Sequence, residues 1–143
     1  MNVKQILSLK GSTAVETVSP PTTLRDAAAT LSEKGYGALV VSHGDGTISG
    51  ILSERDIVRA VGREGAAALA RPVASAMTET VVTCAPGESV HSVMERMTDG
   101  RFRHMPVMED GRMVGLLSIG DVVKARIFEM EEENSQLSTM LHG

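Results

Sequence analysis

One unit is written twice in this chain, and that duplication constrains the fold more than any other feature. Residues 15–44 align with 81–110 without a gap, and after one single-residue deletion 46–60 align with 111–125. Identical pairs include Val15/Val81, Thr17/Thr83, Pro20/Pro86, Val41/Val107, Gly46/Gly111, Gly50/Gly115, Ser53/Ser118, Asp56/Asp121 and Ala60/Ala125. Leu24/Val90, Ile51/Leu116, Leu52/Leu117 and Ile57/Val122 are conservative matches between them.

Each copy predicts the same order of elements. The β-branched stretches 15–18 and 81–83 read as short strands that run into a Pro-containing turn. Helices follow, with Leu24, Ala27, Ala28 and Leu31 at helical spacing in one copy and Val90, Val93, Met94 and Met97 in the other. Gly35 and Gly100 are placed to stop them. A hairpin comes next: 38–42 with 47–53 around His43-Gly44-Asp45-Gly46, then 105–108 with 112–118 around Glu109-Asp110-Gly111. A second helix begins after Ser53 and after Ser118. The class is therefore α+β, each unit running strand, helix, strand, strand, helix. A unit this small cannot cover both faces of its sheet, so the copies are expected to pack about a pseudo-twofold axis.

Residues 1–143 then form one module, with a first repeat over 10–62, a linker over 63–80, a second repeat over 81–127 and a C-terminal helical extension over 128–143. The Gly- and Ala-rich linker contains a segment, 73–77, that echoes 3–7, and both read as lead-in helical turns. The extension carries Ile127, Phe128, Met130, Leu137 and Leu141 at a spacing that suits either a partner helix or a solvated tail.

Composition narrows the partners. With 143 residues of which 42% are hydrophobic, the chain can form a core without disulfide or metal. The net charge of −4 and a pI near 5.5 offer no overall attraction to nucleic acid or anionic lipid, so neither is expected as a partner. Only Tyr36, Phe102 and Phe128 are aromatic, too few for a base-stacking platform. The single cysteine, Cys84, reads as a small buried hydrophobe in a reducing compartment. The first residues lack the apolar stretch of a signal peptide and no stretch is long enough for a membrane span, so a cytoplasmic location is expected. His43, His91 and His142 are scattered without metal-ligand spacing, and the nine methionines read as core filler.

The motif with most chemical content is Gly50-Ile51-Leu52-Ser53-Glu54-Arg55-Asp56, echoed by Gly115-Leu116-Leu117-Ser118-Ile119-Gly120-Asp121. A capping box would account for the Ser and the acid three positions later, since it satisfies orphan amides at a helix start. Two features favour a ligand instead. Asp is shorter than the Glu or Gln that ordinarily reaches back to the N-cap amide, and a Gly lies at the strand where a ligand could approach the backbone. A carboxylate in a first helical turn can accept both hydroxyls of a ribose, and the neighbouring amides suit oxyanions. Arg101, Arg103 and His104 form the densest cationic cluster; they could neutralise phosphate, or discourage aggregation at a solvated edge strand. Arg55 could face phosphate or water.

These motifs resemble the paired cystathionine-β-synthase-type (CBS) domains, or Bateman module, over roughly residues 3–127. The resemblance rests on the duplicated Gly-hydrophobic-hydrophobic-Ser-x-x-Asp endings, the Thr-Val-x-Pro and Thr-Cys-x-Pro openings, and Arg103-His104-Met105-Pro106-Val107. It implies a ligand cleft between the repeats for AMP, ATP, NAD(H) or S-adenosylmethionine, with no cofactor required. It implies ribose binding by Asp56 and Asp121, and phosphate or ribose contacts from Ser53, Ser118, Thr17 and Thr83. Backbone at Ala38-Leu39 and at His104-Met105-Pro106 would flank adenine. The first copy has Gly37-Ala38-Leu39-Val40 where the second has Arg103-His104-Met105-Pro106, which points to the Asp121 site as the one filled if only one is. The family also implies a disk-like homodimer.

No catalytic constellation is present: no nucleophile elbow, no Cys-His pair and no phosphate loop of the Gly-Lys-Ser type, so the chain is not expected to be an enzyme. The expectation is a sensor whose ligand shifts packing and is read by a target protein in trans. The rival is a ligand-independent dimerisation or scaffolding module.

Overall fold

A computed structural model describes residues 1–10 and 15–142, with side chains through Leu137. The chain divides into two compact units, one built from 15–82 with 110–113, the other from the N-terminal segment, 83–109 and the chain from 114 onward.

In the first unit, β1 (Thr17–Val18) pairs parallel with β2 (Ala38–Val41), which pairs antiparallel with β3 (Gly50–Ser53). Between β1 and β2 lies α2 (Leu24–Lys34). Thr23 caps it by accepting the Asp26 amide, and Gly35 ends it in the left-handed region at φ 67° with its N–H on the Leu31 carbonyl. The strand predicted over 47–53 begins only at Gly50. Thr47 is turned away from the ladder because its amide and hydroxyl both bond Asp45, while the Ser42 hydroxyl takes the Thr47 carbonyl. After β3 comes α3 (Glu54–Glu64), then 3-10 turns at Gly65–Ala70 and Val73–Ser75. Leu24, Ala27, Leu31, Leu39, Val41, Leu52 and Val73 form the core. The lead-in predicted over 73–77 is thus built into the first unit: the Val73 amide donates to Thr22, and Thr78 and Ile51 exchange backbone bonds of 2.8 and 3.0 Å.

The second unit opens with α1 (Val3–Leu9), started by a reciprocal capping box between Asn2 and Gln5. α1 buries Val3, Ile6 and Leu7 against α4 (Val90–Gly100), β4 (His104–Glu109), β5 (Arg112–Ser118) and the first turns of α5 (Ile119–His142). β4 and β5 pair through a two-residue turn in which Asp110 and Gly111 are both left-handed, at φ 52° and 77°. The strand predicted over 81–83 is reduced to one parallel bridge between Cys84 and Val107, the counterpart of Val18 with Val41. The Thr83 carbonyl goes instead to the Arg96 guanidinium at 2.8 Å.

Gly100 does not stop its helix. It is the last residue of α4, and Arg101 takes the left-handed position at φ 56°. What requires glycine at 100 is the Phe102 ring, whose nearest atom would lie 2.3 Å from an added Cβ. Among the described residues no helix is long and apolar enough to cross a membrane.

Candidate functional site

The two Ser-x-x-Asp motifs fold alike. Ser53 is the N-cap of α3: its hydroxyl accepts the Asp56 amide at 3.2 Å, and Asp56 Oδ2 accepts the Ser53 amide at 2.9 Å. In the second unit the Ser118 hydroxyl accepts the Asp121 amide at 3.1 Å and Asp121 Oδ2 accepts the Ser118 amide at 2.8 Å. The expectation that Asp is too short for this reach is therefore corrected. The Asp56 carboxylate reaches the Ser53 amide about as closely as the longer Gln5 side chain reaches that of Asn2, 2.9 against 2.8 Å.

A further backbone bond recurs beside each motif. The Glu54 amide donates to the Gly37 carbonyl at 3.1 Å, and the Ile119 amide to the Arg103 carbonyl at 2.8 Å. It ties each helix start to the residue just before Ala38 or His104. In the first unit Ala38 is the register partner of Ser53, and Thr17 pairs two residues further along β2. Ala38, Ser53 and Asp56 consequently share one end of the sheet, Ser53 and Asp56 half-buried and Ala38 with Leu39 buried, while Thr17 lies exposed on the edge strand opposite Val40, nearer the other end. In the second unit Thr83, His104 and Ser118 are half-buried at the matching positions, while Met105 and Pro106 are buried in β4. Pro106, which has no amide to give, accepts the Cys84 N–H at 3.0 Å.

The arginines are less gathered. Arg55 projects from the first turn of α3 and is exposed; Arg101 and Arg103 are exposed on the connection from α4 to β4. None of the three bonds to the Ser-Asp pair of its own unit.

Lys10 is the residue that sequence reasoning missed. Its ammonium lies 2.8 Å from Asp121 Oδ2 and 2.8 Å from the Leu116 carbonyl. Burial pushes the Asp121 carboxyl up, but the Lys10 ammonium together with the Ser118 amide and hydroxyl outweighs it, holding the group below its ordinary value. Asp121 Oδ1 receives no hydrogen bond from a described residue. In the first unit Thr78 gives its backbone amide to Ile51, the counterpart of Leu116, and the nearest cation to Asp56 is Arg59, 3.8 Å away and mostly exposed. The signal for Lys10 was the echo of 3–7 in 73–77, which puts residues 3–10 and 73–80 in matching roles.

Cys84 is buried, and that burial pushes its thiol up to about 11, with Glu88 adding to the rise and Arg96 opposing it. It is uncharged at neutral pH and so a poor nucleophile. Among the described residues no group of three or more His, Cys, Asp or Glu could hold a metal ion.

A family model for the CBS domain matches residues 3–63 and 73–127. The mitochondrial CBS domain-containing protein CBSX3 of Arabidopsis thaliana is 38% identical over 125 residues, which cover 85% of this chain and 61% of that protein. This chain thus spans less than two thirds of the plant protein's length. Among solved structures, the CBS-domain containing protein ATU1752 from Agrobacterium tumefaciens matches with a TM-score of 0.84 at 48% identity, over 88% of this chain and 99% of the other. The CBS domain pair of protein MJ0100, in complex with 5′-methylthioadenosine and S-adenosyl-L-methionine, matches with a TM-score of 0.77 at 25% identity, over 92% and 98%.

Proposed function

The chain belongs to the CBS-domain family, and from that premise we propose that it is a regulatory module that binds an adenosyl ligand at its Ser-x-x-Asp helix starts. The observation that carries this reading is the pair of capped carboxylates. In each, one oxygen is committed to the N-cap amide, so the rotamer is set before a ligand arrives and little side-chain entropy is lost on binding. The other oxygen of Asp56 or Asp121 can accept from a ribose diol. Thr17, Ser53 and Arg55, or Thr83, Ser118, Arg101 and Arg103, supply hydroxyls and charge toward phosphate, while the chain at Ala38 or at His104-Met105-Pro106 lies against the base. The relative that carries 5′-methylthioadenosine and S-adenosyl-L-methionine supports the adenosyl class. AMP, ATP, NAD(H) and S-adenosylmethionine all belong to it. The ligand shifts the packing of a homodimer and a target protein reads that shift in trans, with no catalysis by the chain itself.

The reciprocal cap also supports the rival reading, in which Ser53, Asp56, Ser118 and Asp121 only start helices and the module is a scaffold. Calorimetric titration with AMP, ATP, NAD, NADH and S-adenosylmethionine, on protein freed of carried-over nucleotide, separates the two. Asp56→Asn and Asp121→Asn keep an acceptor for the cap while removing the charge, so they test binding rather than folding. The expected result is binding of one adenylate that weakens about tenfold or more in at least one variant, as loss of a charged hydrogen-bond partner implies. Heat that is unchanged in both variants, or absent with every ligand, would favour the scaffold.

A further inference from the structure

We infer that the second half of α5 is one strand of a parallel, in-register two-stranded coiled coil whose other strand is a second copy of this chain. The helix outruns its own unit. Val122 and Ala125 are its last buried residues, and Glu129 still holds the N-terminal amine at 2.7 Å, but from Met130 through Leu137 every residue is exposed. The backbone nevertheless stays helical to His142, a run of about 20 Å past Glu129 at ~1.5 Å per residue. A stretch of that length is not held by propensity alone, and its stability has to come from an apolar face packed on something.

The face is there, and its spacing is specific. Val123, Ile127, Met130, Asn134 and Leu137 alternate steps of four and three, the period of a coiled-coil seam. The apolar members are exposed by 40, 50, 48 and 55% in that order. In this register Val123, Met130 and Leu137 take the d positions, and Ile127 and Asn134 the a positions.

Charge complementarity of the seam flanks identifies the partner as another copy, and the polar seam residue sets its direction as parallel. Arg126 falls at g and Glu131 at the following e, so two parallel copies set each Arg126 against the other's Glu131. Within the chain Arg126 makes only loose pairs, 3.4 Å to Glu129 and 3.9 Å to Glu133, which it can exchange. An antiparallel pair centred at residue 132 would bring Glu131 to Glu131 and Glu133 to Glu133, and one centred between 128 and 129 would join Arg126 to Glu133 and Lys124 to Glu131 but set Asn134 against Val123. Asn134 at a meets its own counterpart only in the parallel register, where two amide side chains satisfy each other and mismatched partners are penalised. A seam this short makes a weak contact by itself, so its signature is proximity rather than mass.

Oxidative cross-linking of the full chain reads that proximity. Leu137→Cys places a thiol on the seam and Gln136→Cys places one on the outer face one residue away; both positions are exposed, so neither substitution disturbs a core. The expected result is a disulfide-linked dimer of Leu137→Cys on a non-reducing gel, formed at least several-fold faster than that of Gln136→Cys, with wild type and its buried Cys84 giving none. Equal rates, a faster Gln136→Cys, or no cross-link in either would overturn the coiled coil.

Discussion

Asp56 and Asp121 are capped by the same two hydrogen bonds, yet what reaches each carboxylate from outside its motif differs. Asp121 carries a lysine from the N-terminal segment at 2.8 Å; among the described residues Asp56 has only Arg59 at 3.8 Å, one helical turn along. The difference traces to the lead-ins. Over 3–10 the chain is a full helix that ends in Lys10, and the ammonium takes the Leu116 carbonyl. Over 73–80 it is a single 3-10 turn that opens into backbone pairing, and Thr78 takes the equivalent carbonyl of Ile51. Duplication copied the repeat body, and the segments that dock on each body diverged around it.

The largest effect that tests this asymmetry comes from the cores. Ile6 is 2% exposed in the second unit, and the echo aligns it with Ala76, which is only partly buried beside the first core. Ile6→Ala should cost about 2–4 kcal/mol by cavity formation, read from urea unfolding. A loss below about 1 kcal/mol would mean that α1 is an ornament on the second unit and that the lead-ins do not define the difference.

A smaller effect distinguishes how tightly the two lead-ins sit. A Cβ on Gly50 would lie 2.7 Å from the Thr78 carbonyl oxygen, whereas on Gly115 it would lie 2.7 Å from the tip of Leu7. Backbone cannot yield and a leucine tip can. Gly50→Ala is therefore expected to cost about 2–3 kcal/mol and Gly115→Ala about 1, within the range for overpacking. Equal costs in thermal or urea unfolding would show that α1 is held as rigidly as the Thr78-Ile51 bridge.

Periodicity and turn chemistry made most of the fold legible, because they are local. Leu24, Ala27 and Leu31, or Val90, Val93 and Met97, announce a helix face, and the Asp110-Gly111 turn announces a hairpin. Duplication then set the repeat order and drew attention to Ser53, Asp56, Ser118 and Asp121. Illegible were the contacts that depend on where distant chain arrives. Lys10 stands 111 residues from Asp121, and the echo of 3–7 in 73–77 matches the two lead-ins without naming the carboxylate that Lys10 meets. Gly100 looked like a helix stop because that is the common role of glycine there; its tie to Phe102 is a packing fact that only coordinates reveal. The length of Asp misled in the same way, since a carboxylate one methylene shorter than Glu still closes the box at Ser53 and at Ser118.

The smallest effect on stability is the most informative about the sites. Lys10→Met keeps the aliphatic stem and removes the ammonium from Asp121. The folded carboxyl lies below its ordinary value, so its ionisation contributes stability that is full above about pH 4, the unfolded value, and is lost as pH falls through the folded one. Without Lys10 the burial that raises this group is opposed by Ser118 alone, and that contribution shrinks. With Lys10 a third exposed, the loss at pH 7 should be only about 0.5 kcal/mol and should vanish once the pH has fallen below the folded value, where wild type and variant converge. The same substitution addresses ligand choice. A carboxylate freed of its lysine is a stronger acceptor for a neutral diol, while a phosphate loses a nearby cation. In an Asp56→Asn background, which leaves the second site to report alone, Lys10→Met should tighten adenosine a few-fold and loosen ATP by a similar factor, measured by calorimetry. If both ligands tighten, Lys10 is a plug over Asp121 and the first repeat is the resting binding site. If both loosen, the ammonium touches the nucleoside itself, and the two repeats differ in ligand contacts rather than in access.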